Sequence, residues 1–361
     1  MSKPAGSAPR ATIRDVAAQA GVSKSLVSLA FKDASRVGEA RLRRIREAAE
    51  ELGYQPNFLA RSLAAEGSPF IGIVVVDLRN PLFADIADAA RAEFDAQGQY
   101  GLITSASVPG VADEGERYGR VDDRVMAMLQ DLRPRALLVI GTVADASALP
   151  SGIPIVYASA APEAGSGHAS VRVDDRAGME LLFEHLTERG HRRIAFVGGE
   201  GGGVSRSRRE AYAASCRARG LEELVFPASY SEREGAEAGA RLLRAEPRPT
   251  AAIAVNDLAA LGVQAAAERA GLELPRELAV AGFDNTYLAG LPRISLTSVD
   301  PCNAEIGRLA ARRILSALQD PTALGGDELV RPGLVVRAST RSEPGGARPV
   351  PEEARPIAGS A

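Results

Sequence analysis

The stretch from Thr12 to Leu63 constrains this chain more than any other: TIRDVAAQAGVSKSLVSLAFKDASRVGEARLRRIREAAEELGYQPNFLARSL. Thr12 suits a helix N-cap, with Asp15 three residues on in a loose capping box, and Ile13, Val16, Ala17 and Ala20 recur at helical spacing. Gly21 can take the positive φ that ends such a helix. Val22 then turns inward and Ser23 caps a second helix. That helix is expected to bury Leu26, Val27 and Ala30 or Phe31, and to expose Lys24, Ser25, Ser28, Leu29 and Lys32. Ala17 is small where two helices must cross closely, so A-x-x-x-G-V-S reads as a helix-turn-helix with a steric reason behind it. A third helix is expected from about Glu39 to Leu52, ending at Gly53. The unit is too small for an enzyme and the right size to enter a DNA groove. The bland alternative is a helical hairpin with a solvated polar face.

Charge favours the groove. The whole chain carries 43 Lys+Arg and 46 Asp+Glu, a net of −3. Residues 1–66 hold 11 of the cations and 7 of the anions, a net of +4, which leaves −7 on the remainder. Phosphate contact is therefore expected at the N-terminal end only. In a helix-turn-helix the first residues of the second helix face base edges, which selects Lys24, Ser25 and Leu29. Lys can donate to guanine and Ser to several bases, whereas Leu offers only apolar contact, for example to a thymine methyl. Ser23, Ser28, Lys32, Arg36 and Tyr54 are placed for phosphates, which set register rather than sequence.

From Pro69 the pattern changes to short β-rich runs alternating with helices. FIGIVVV (70–76), ALLVI (136–140), IPIVYA (153–158), RIAFVGG (193–199), AAIAV (251–255) and LAVAGF (278–283) read as strands. Helices are expected around 83–97, 114–131, 175–190, 206–219, 231–245 and 257–271. This alternation implies parallel sheets covered on both faces, and the length suits two doubly wound lobes. Ligands in such folds sit beyond the carboxyl ends of the strands. Asn80, Asp174 with Asp175, Asn256 with Asp257, and Asp284 with Asn285 all fall there. Each also suits a helix cap or a turn, and only their convergence on one edge favours a ligand.

Taken together, TIRDVAAQAGVS, AAEELGYQPNFLARSL, DLRNPLF, ERGHRRI and AGFDN give the chain a resemblance to the lactose-repressor/galactose-repressor (LacI/GalR) family of bacterial transcription regulators, from Thr12 to Arg341. The resemblance implies a helix-turn-helix domain at 12–55, a hinge helix and linker at 56–67, and a two-lobed, periplasmic-binding-protein-like sensor at 68–341 crossed three times by the chain. The segment after about Leu296 would return to the first lobe. Residues 1–11 and 342–361 are expected to be disordered. By resemblance Leu63 wedges into the minor groove over the operator centre, with Asn57 and Ala60 beside it; an apolar wedge unstacks a base step and kinks the duplex. The plain alternative is a short linker helix in which Leu63 merely packs.

The resemblance also places Arg208, within SRSRREAY, in the effector pocket with Asn256 and Asp284, puts Tyr230 where an aromatic can stack on a ring, and lines the pocket with Phe83 and Val173. An Arg, an Asp, an Asn and an aromatic suit a sugar, through paired bonds to adjacent hydroxyls and an apolar face for the ring. A nucleoside or purine is the alternative ligand. Three departures stand out: Leu29 where the family usually has Arg, Ser159 where some members have a carboxylate, and Pro301 where some have an amide.

Other signals narrow the partners. Cys216 and Cys302 are far apart and form no CxxC, so no disulfide framework or zinc site is expected and a reducing cytoplasm fits. No apolar run approaches the length of a membrane span, and residues 1–11 lack the apolar core of a secretory signal. Gly198 to Gly203, a glycine-rich run around Glu200, reads as a flexible cleft loop rather than a dinucleotide loop. His168, His185 and His191 are scattered, and no nucleophile elbow, phosphate loop or metal motif appears. No cofactor is expected. The expected partners are operator DNA, a small effector and a second copy of the chain, because two readers must span a pseudo-palindrome. A solute-binding protein without DNA function, or an enzyme on the same α/β fold, are the rival classes.

Overall fold

The computed structural model describes residues 11–54, 70–106, 119–163 and 165–341. The hinge residues Asn57, Ala60 and Leu63 lie outside them, as do the terminal segments 1–10 and 342–361. The chain divides into two compact units, Met1–Ser68 and Pro69–Ala361.

The first unit is a three-helix head: α1 (Ile13–Ala20), α2 (Lys24–Lys32) and α3 (Glu39–Glu51). Asp15 Oδ2 accepts from the Thr12 amide at 2.8 Å and the Thr12 hydroxyl at 2.7 Å. Those two bonds hold its carboxyl below the usual range. Gly21 takes φ 63° and ends α1, and Ser23 Oγ accepts the Leu26 amide at 3.2 Å to start α2. The core is Val16, Ala17, Ala20, Val27, Ala30, Val37, Ile45, Ala48 and Ala49. Leu26 and Phe31 are half-buried at its margin, so Ala30 rather than Phe31 is the buried residue of α2's last turn.

The second unit has two six-stranded sheets. The first runs β11 (Asp327–Val330), β5 (Ala169–Val173), β4 (Ile155–Ala158), β3 (Leu137–Ile140), β1 (Phe70–Val75), β2 (Tyr100–Ser105), parallel throughout. The second runs β12 (Gly333–Val335), β10 (Thr297–Asp300), β9 (Ala279–Phe283), β8 (Ala251–Ala254), β6 (Ile194–Val197), β7 (Leu224–Phe226), with β12 alone antiparallel. The runs expected to be strands are buried on both faces, as a parallel sheet between helices requires. In the first lobe the pleat sends Val74, Leu137, Val139 and Tyr157 into one apolar layer and Ile71, Ile73, Leu138 and Ile140 into the other.

The helices are α4 (Leu82–Ala96), α5 (Asp123–Leu132), α6 (Asp175–Glu188), α7 (Gly203–Arg219), α8 (Glu232–Leu242), α9 (Asp257–Arg269) and α10 (Asn303–Gln319). The chain passes between lobes three times: through α6 after β5, through α10 after β10, and between β11 and β12. The return to the first lobe comes after Asp300, since β10 still belongs to the second sheet and α10 packs on α4 and on β3 to β5. The 17-residue α10 went unforeseen, although Ile306, Ala310, Ile314 and Ala317 give it a regular buried stripe. Strands β2, β7, β10, β11 and β12 were also missed, and β5 was implied only by placing Asp174 and Asp175 at a strand end; β2 and β11 have mixed, partly exposed patterns. No described helix is long and apolar enough to cross a membrane.

Candidate functional site: an effector cleft and a DNA-reading head

The head offers an exposed helix start. Ser23, Lys24, Ser25 and Ser28 are exposed, and Arg36 is exposed just after α2. Leu29 differs from expectation: it is half-buried and packs against the head core, because it shares a helix face with Leu26. Lys32 closes α2. Tyr54 packs its ring 5.8 Å from that of Phe31.

In the sensor, strands β1, β3, β4 and β9 end around a narrow cleft lined by Asn80, Leu82, Phe83, Gly141, Thr142, Ser159, Val204, Arg208, Tyr230 and Asp284. At its base Arg208, in the second turn of α7, is 3% exposed. Its Nε donates to Asp175 Oδ1 at 3.0 Å. One terminal nitrogen donates to the Val255 carbonyl at 2.6 Å and to Asp284 Oδ1 at 3.3 Å. The guanidinium lies 3.7 Å from the centre of the Phe283 ring, a cation–π contact. Burial works against its charge, but the Asp175 and Asp284 carboxylates outweigh that and hold Arg208 above its ordinary value. Across the cleft, Asn80 of the first lobe donates from Nδ2 to Asp284 Oδ2 of the second at 3.1 Å.

The β9 end is strained. Asp284 (φ 120°) and Asn285 (φ 45°) both have positive φ without being glycine. Such residues cost on the order of 1–3 kcal/mol each and persist only when their surroundings over-determine them. Asp257 does much of that holding. Its Oδ2 accepts from the Thr286 amide at 2.7 Å and the Thr286 hydroxyl at 2.8 Å, and its Oδ1 from Ser298 Oγ at 2.6 Å. Ser298 Oγ in turn accepts the Asn285 amide at 2.9 Å, and Arg337 donates to Asn285 Oδ1 at 2.6 Å. Asp257 thus positions Asp284 without itself lining the cleft.

Burial is the main force on both carboxyls. It pushes Asp284 up to about 7 against the pull of Arg208. It pushes Asp257 up to about 6 against the bonds from Ser298 and Thr286. Unfolded, both would ionise near 3.8. Between about 4 and 7 the folded protein therefore holds protons that the unfolded chain releases. This contribution to stability is full below about 4 and declines as pH rises to about 7. Asp257→Asn should make that decline shallower in urea-unfolding midpoints taken at pH 5, 6 and 7; an unchanged slope would contradict the assignment.

Residues 12–57 match the family described as "Bacterial regulatory proteins, lacI family", and residues 183–340 match the "Periplasmic binding protein-like domain". The HTH-type transcriptional regulator GntR of Pseudomonas aeruginosa is 32% identical over 324 residues, covering 86% of this chain and 90% of that one. The chain belongs to the LacI family. It is a DNA-binding transcriptional regulator built as a helix-turn-helix head and a two-lobed α/β domain. The repressor CytR of Escherichia coli K12 is 28% identical, with 92% of this chain and 97% of CytR covered. Among solved structures, a lac repressor dimer bound to operator and the anti-inducer ONPF superposes with a TM-score of 0.78 at 24% identity, over 92% of this chain and 99% of that one. A CelR–cellobiose complex superposes at 0.66 with 25% identity, over 91% of this chain and 100% of that one.

In this LacI-family regulator, Asn80, Phe83, Arg208, Tyr230 and Asp284 converge on the cleft as the sequence suggested. Val173, Asp174 and Asn256 do not line it. Val173 belongs to the apolar core. Asp174 caps α6 by accepting the Ala177 amide at 3.0 Å, and Asn256 caps α9 through the Ala259 amide at 2.9 Å while donating to the Tyr230 carbonyl at 3.1 Å. Asp175, one residue beyond the cap, is the carboxylate that reaches Arg208. Thr142 and Val204 were missed, although Thr142 is a polar residue two positions past the end of β3.

The glycine run is also tighter than a flexible loop. The Gly198 amide donates to the Phe226 carbonyl at 3.1 Å and the Glu200 amide to the Ala228 carbonyl at 3.2 Å. The Gly199 amide donates to Ser205 Oγ at 2.8 Å. Glycine is needed because the run threads between side chains: a Cβ on Gly201 would sit 2.9 Å from the Tyr230 ring, and one on Gly202 3.3 Å from Thr142.

Proposed function

We propose that this regulator is a dimeric, cytoplasmic operator-binding repressor whose DNA affinity is set by a small sugar-like effector in the sensor cleft. On this reading residues 12–55 read DNA, 56–67 form the hinge and 68–341 sense the effector. The observation that carries it is the linked set Asn80, Asp284, Arg208 and Asp175, which ties one lobe to the other across the cleft. A ligand whose hydroxyls compete for Asn80 and Asp284 must alter how the lobes are held. That gives it the differential affinity for two states that any allosteric effector needs. A nucleoside is the second reading, favoured by the two aromatic rings, Phe83 and Tyr230, in the lining.

The DNA half is tested by selecting a preferred duplex from a random pool and titrating its affinity with salt. Steep loss with salt, at an affinity well above that for competitor DNA, supports the repressor. Salt-insensitive binding, or no preferred duplex, contradicts it. Within that selection Leu29→Arg should shift one half-site position toward guanine by about 1–3 kcal/mol, since Arg can bond guanine bidentately and Leu cannot. An unchanged preference would remove Leu29 from the base-reading set.

A further inference from the structure

We infer that Gly201, Gly202 and Gly203 form a gate on the cleft: a glycine tip that is shut in this structure and must lift before a ring can stack on Tyr230. The consequence for the effector rests on the cleft being its site; the gate itself does not depend on what the ligand is. The run Gly198 to Gly203 leaves β6 of the second lobe and leads into α7. Gly199, Gly201 and Gly202 take φ of 100°, 89° and 110°, backbone that residues with side chains rarely adopt. The start of the run is anchored. The Gly198 and Glu200 amides donate to the Phe226 and Ala228 carbonyls, and the Gly199 amide donates to Ser205 Oγ. The tip is held far less. Among the described residues the amides of Gly201, Gly202, Gly203 and Val204 have no partner, and one bond, from the Arg206 amide to the Gly202 carbonyl at 3.2 Å, ties the tip to α7.

What the tip touches gives it this role. Tyr230 packs against the sensor core, and its hydroxyl accepts the Ser205 amide at 2.8 Å. Gly201 lies so close to the same ring that a Cβ there would sit 2.9 Å from Cε2. The ring is thus held between core and backbone, and a ligand cannot stack on it until Gly201 withdraws. Gly202 reaches the first lobe, where a Cβ on it would sit 3.3 Å from Cγ2 of Thr142. Thr142, Val204 and Tyr230 all line the cleft, so the tip is seated on both of its walls. A segment anchored before and after, weakly bonded in the middle, can open locally without disturbing either sheet. Reaching Tyr230 and breaking the Gly202–Thr142 contact are then one event, which carries ligand entry to the seam between the lobes.

The test uses the full chain and needs no effector. Ser159 lines the cleft from the first lobe and becomes the reporter as Ser159→Cys, in a Cys302→Ser background that leaves only the fully buried Cys216. Modification by N-ethylmaleimide, a small neutral reagent, is timed by mass spectrometry. Gly201→Ala denies the tip its place on Tyr230, and the reporter thiol should then react at least tenfold faster than with the native tip. Cys216 should stay unmodified in both, which separates opening of the gate from loosening of the lobe. If Gly201→Ala does not fold, Thr142→Ala, which removes the seat of Gly202, should speed the reaction at least threefold. Thr142→Trp, which fills the cleft, should block it. A reporter rate that neither Gly201→Ala nor Thr142→Ala changes overturns the gate, as does a gain matched by modification of Cys216. Labelling that persists in Thr142→Trp overturns it too, because the reagent then enters elsewhere. Any of these results leaves Asn80, Arg208 and Asp284 standing as the effector site, and a cleft for which no ligand is found leaves the gate standing.

Discussion

Arg208→Ala should destabilise the protein by about 3–5 kcal/mol, because it strips the cation from between two buried carboxyls and leaves them uncompensated. The residue is nearly sealed from solvent and bonds to Asp175, Asp284 and the Val255 carbonyl, so no water can easily replace it. The loss should be larger at and above neutral pH than near pH 5, where Asp284 already holds a proton and Arg208 offsets one carboxylate fewer. Adding Asp284→Asn should recover part of the stability, since one of the stranded charges is gone. Effector binding should vanish in the single variant. Urea unfolding at both pH values is the measurement, and a loss below about 1 kcal/mol would show that the cluster is not the buried charge centre described here.

Ile45→Ala should disable the head. Ile45 is fully buried at the centre of a core made largely of Ala and Val. Truncating a buried Ile costs about 2–5 kcal/mol, and a unit of this size has a total stability of the same order. Preferred-duplex affinity should fall by two orders of magnitude or more, while the thermal transition of the Pro69–Ala361 unit and its response to effector stay in place. Duplex affinity within threefold of wild type would mean that the packing of α1 to α3 does not create the reading surface.

The head was readable because its signals are local. Thr12 with Asp15, Gly21 and Ser23 each act within a few residues, and each forms the cap or turn its chemistry allows. Runs such as Ile71–Val75 were equally plain, because a strand buried on both faces leaves an unbroken apolar stretch. The cleft was readable as a place, from polar residues at strand ends, but less so residue by residue. Asp174 and Asp175 are indistinguishable in the sequence; which one caps and which one reaches Arg208 depends on where α6 begins. Arg206, Arg208 and Arg209 sit almost together, yet Ser205, Arg208, Ala211 and Tyr212 share the buried face, a spacing that singles out Arg208. The role of Asp257 was out of reach. It depends on Thr286 and Ser298, which only the folded sheet brings to one carboxylate.

The proposed function couples occupancy of the cleft to duplex binding by the head, which is read as the affinity of the full chain for its selected duplex with and without a cleft-bound compound at a fixed salt concentration. A change of about 5- to 150-fold, lost in Thr142→Trp, is the predicted result. A compound that binds and stabilises the sensor yet leaves duplex affinity unmoved would contradict the account.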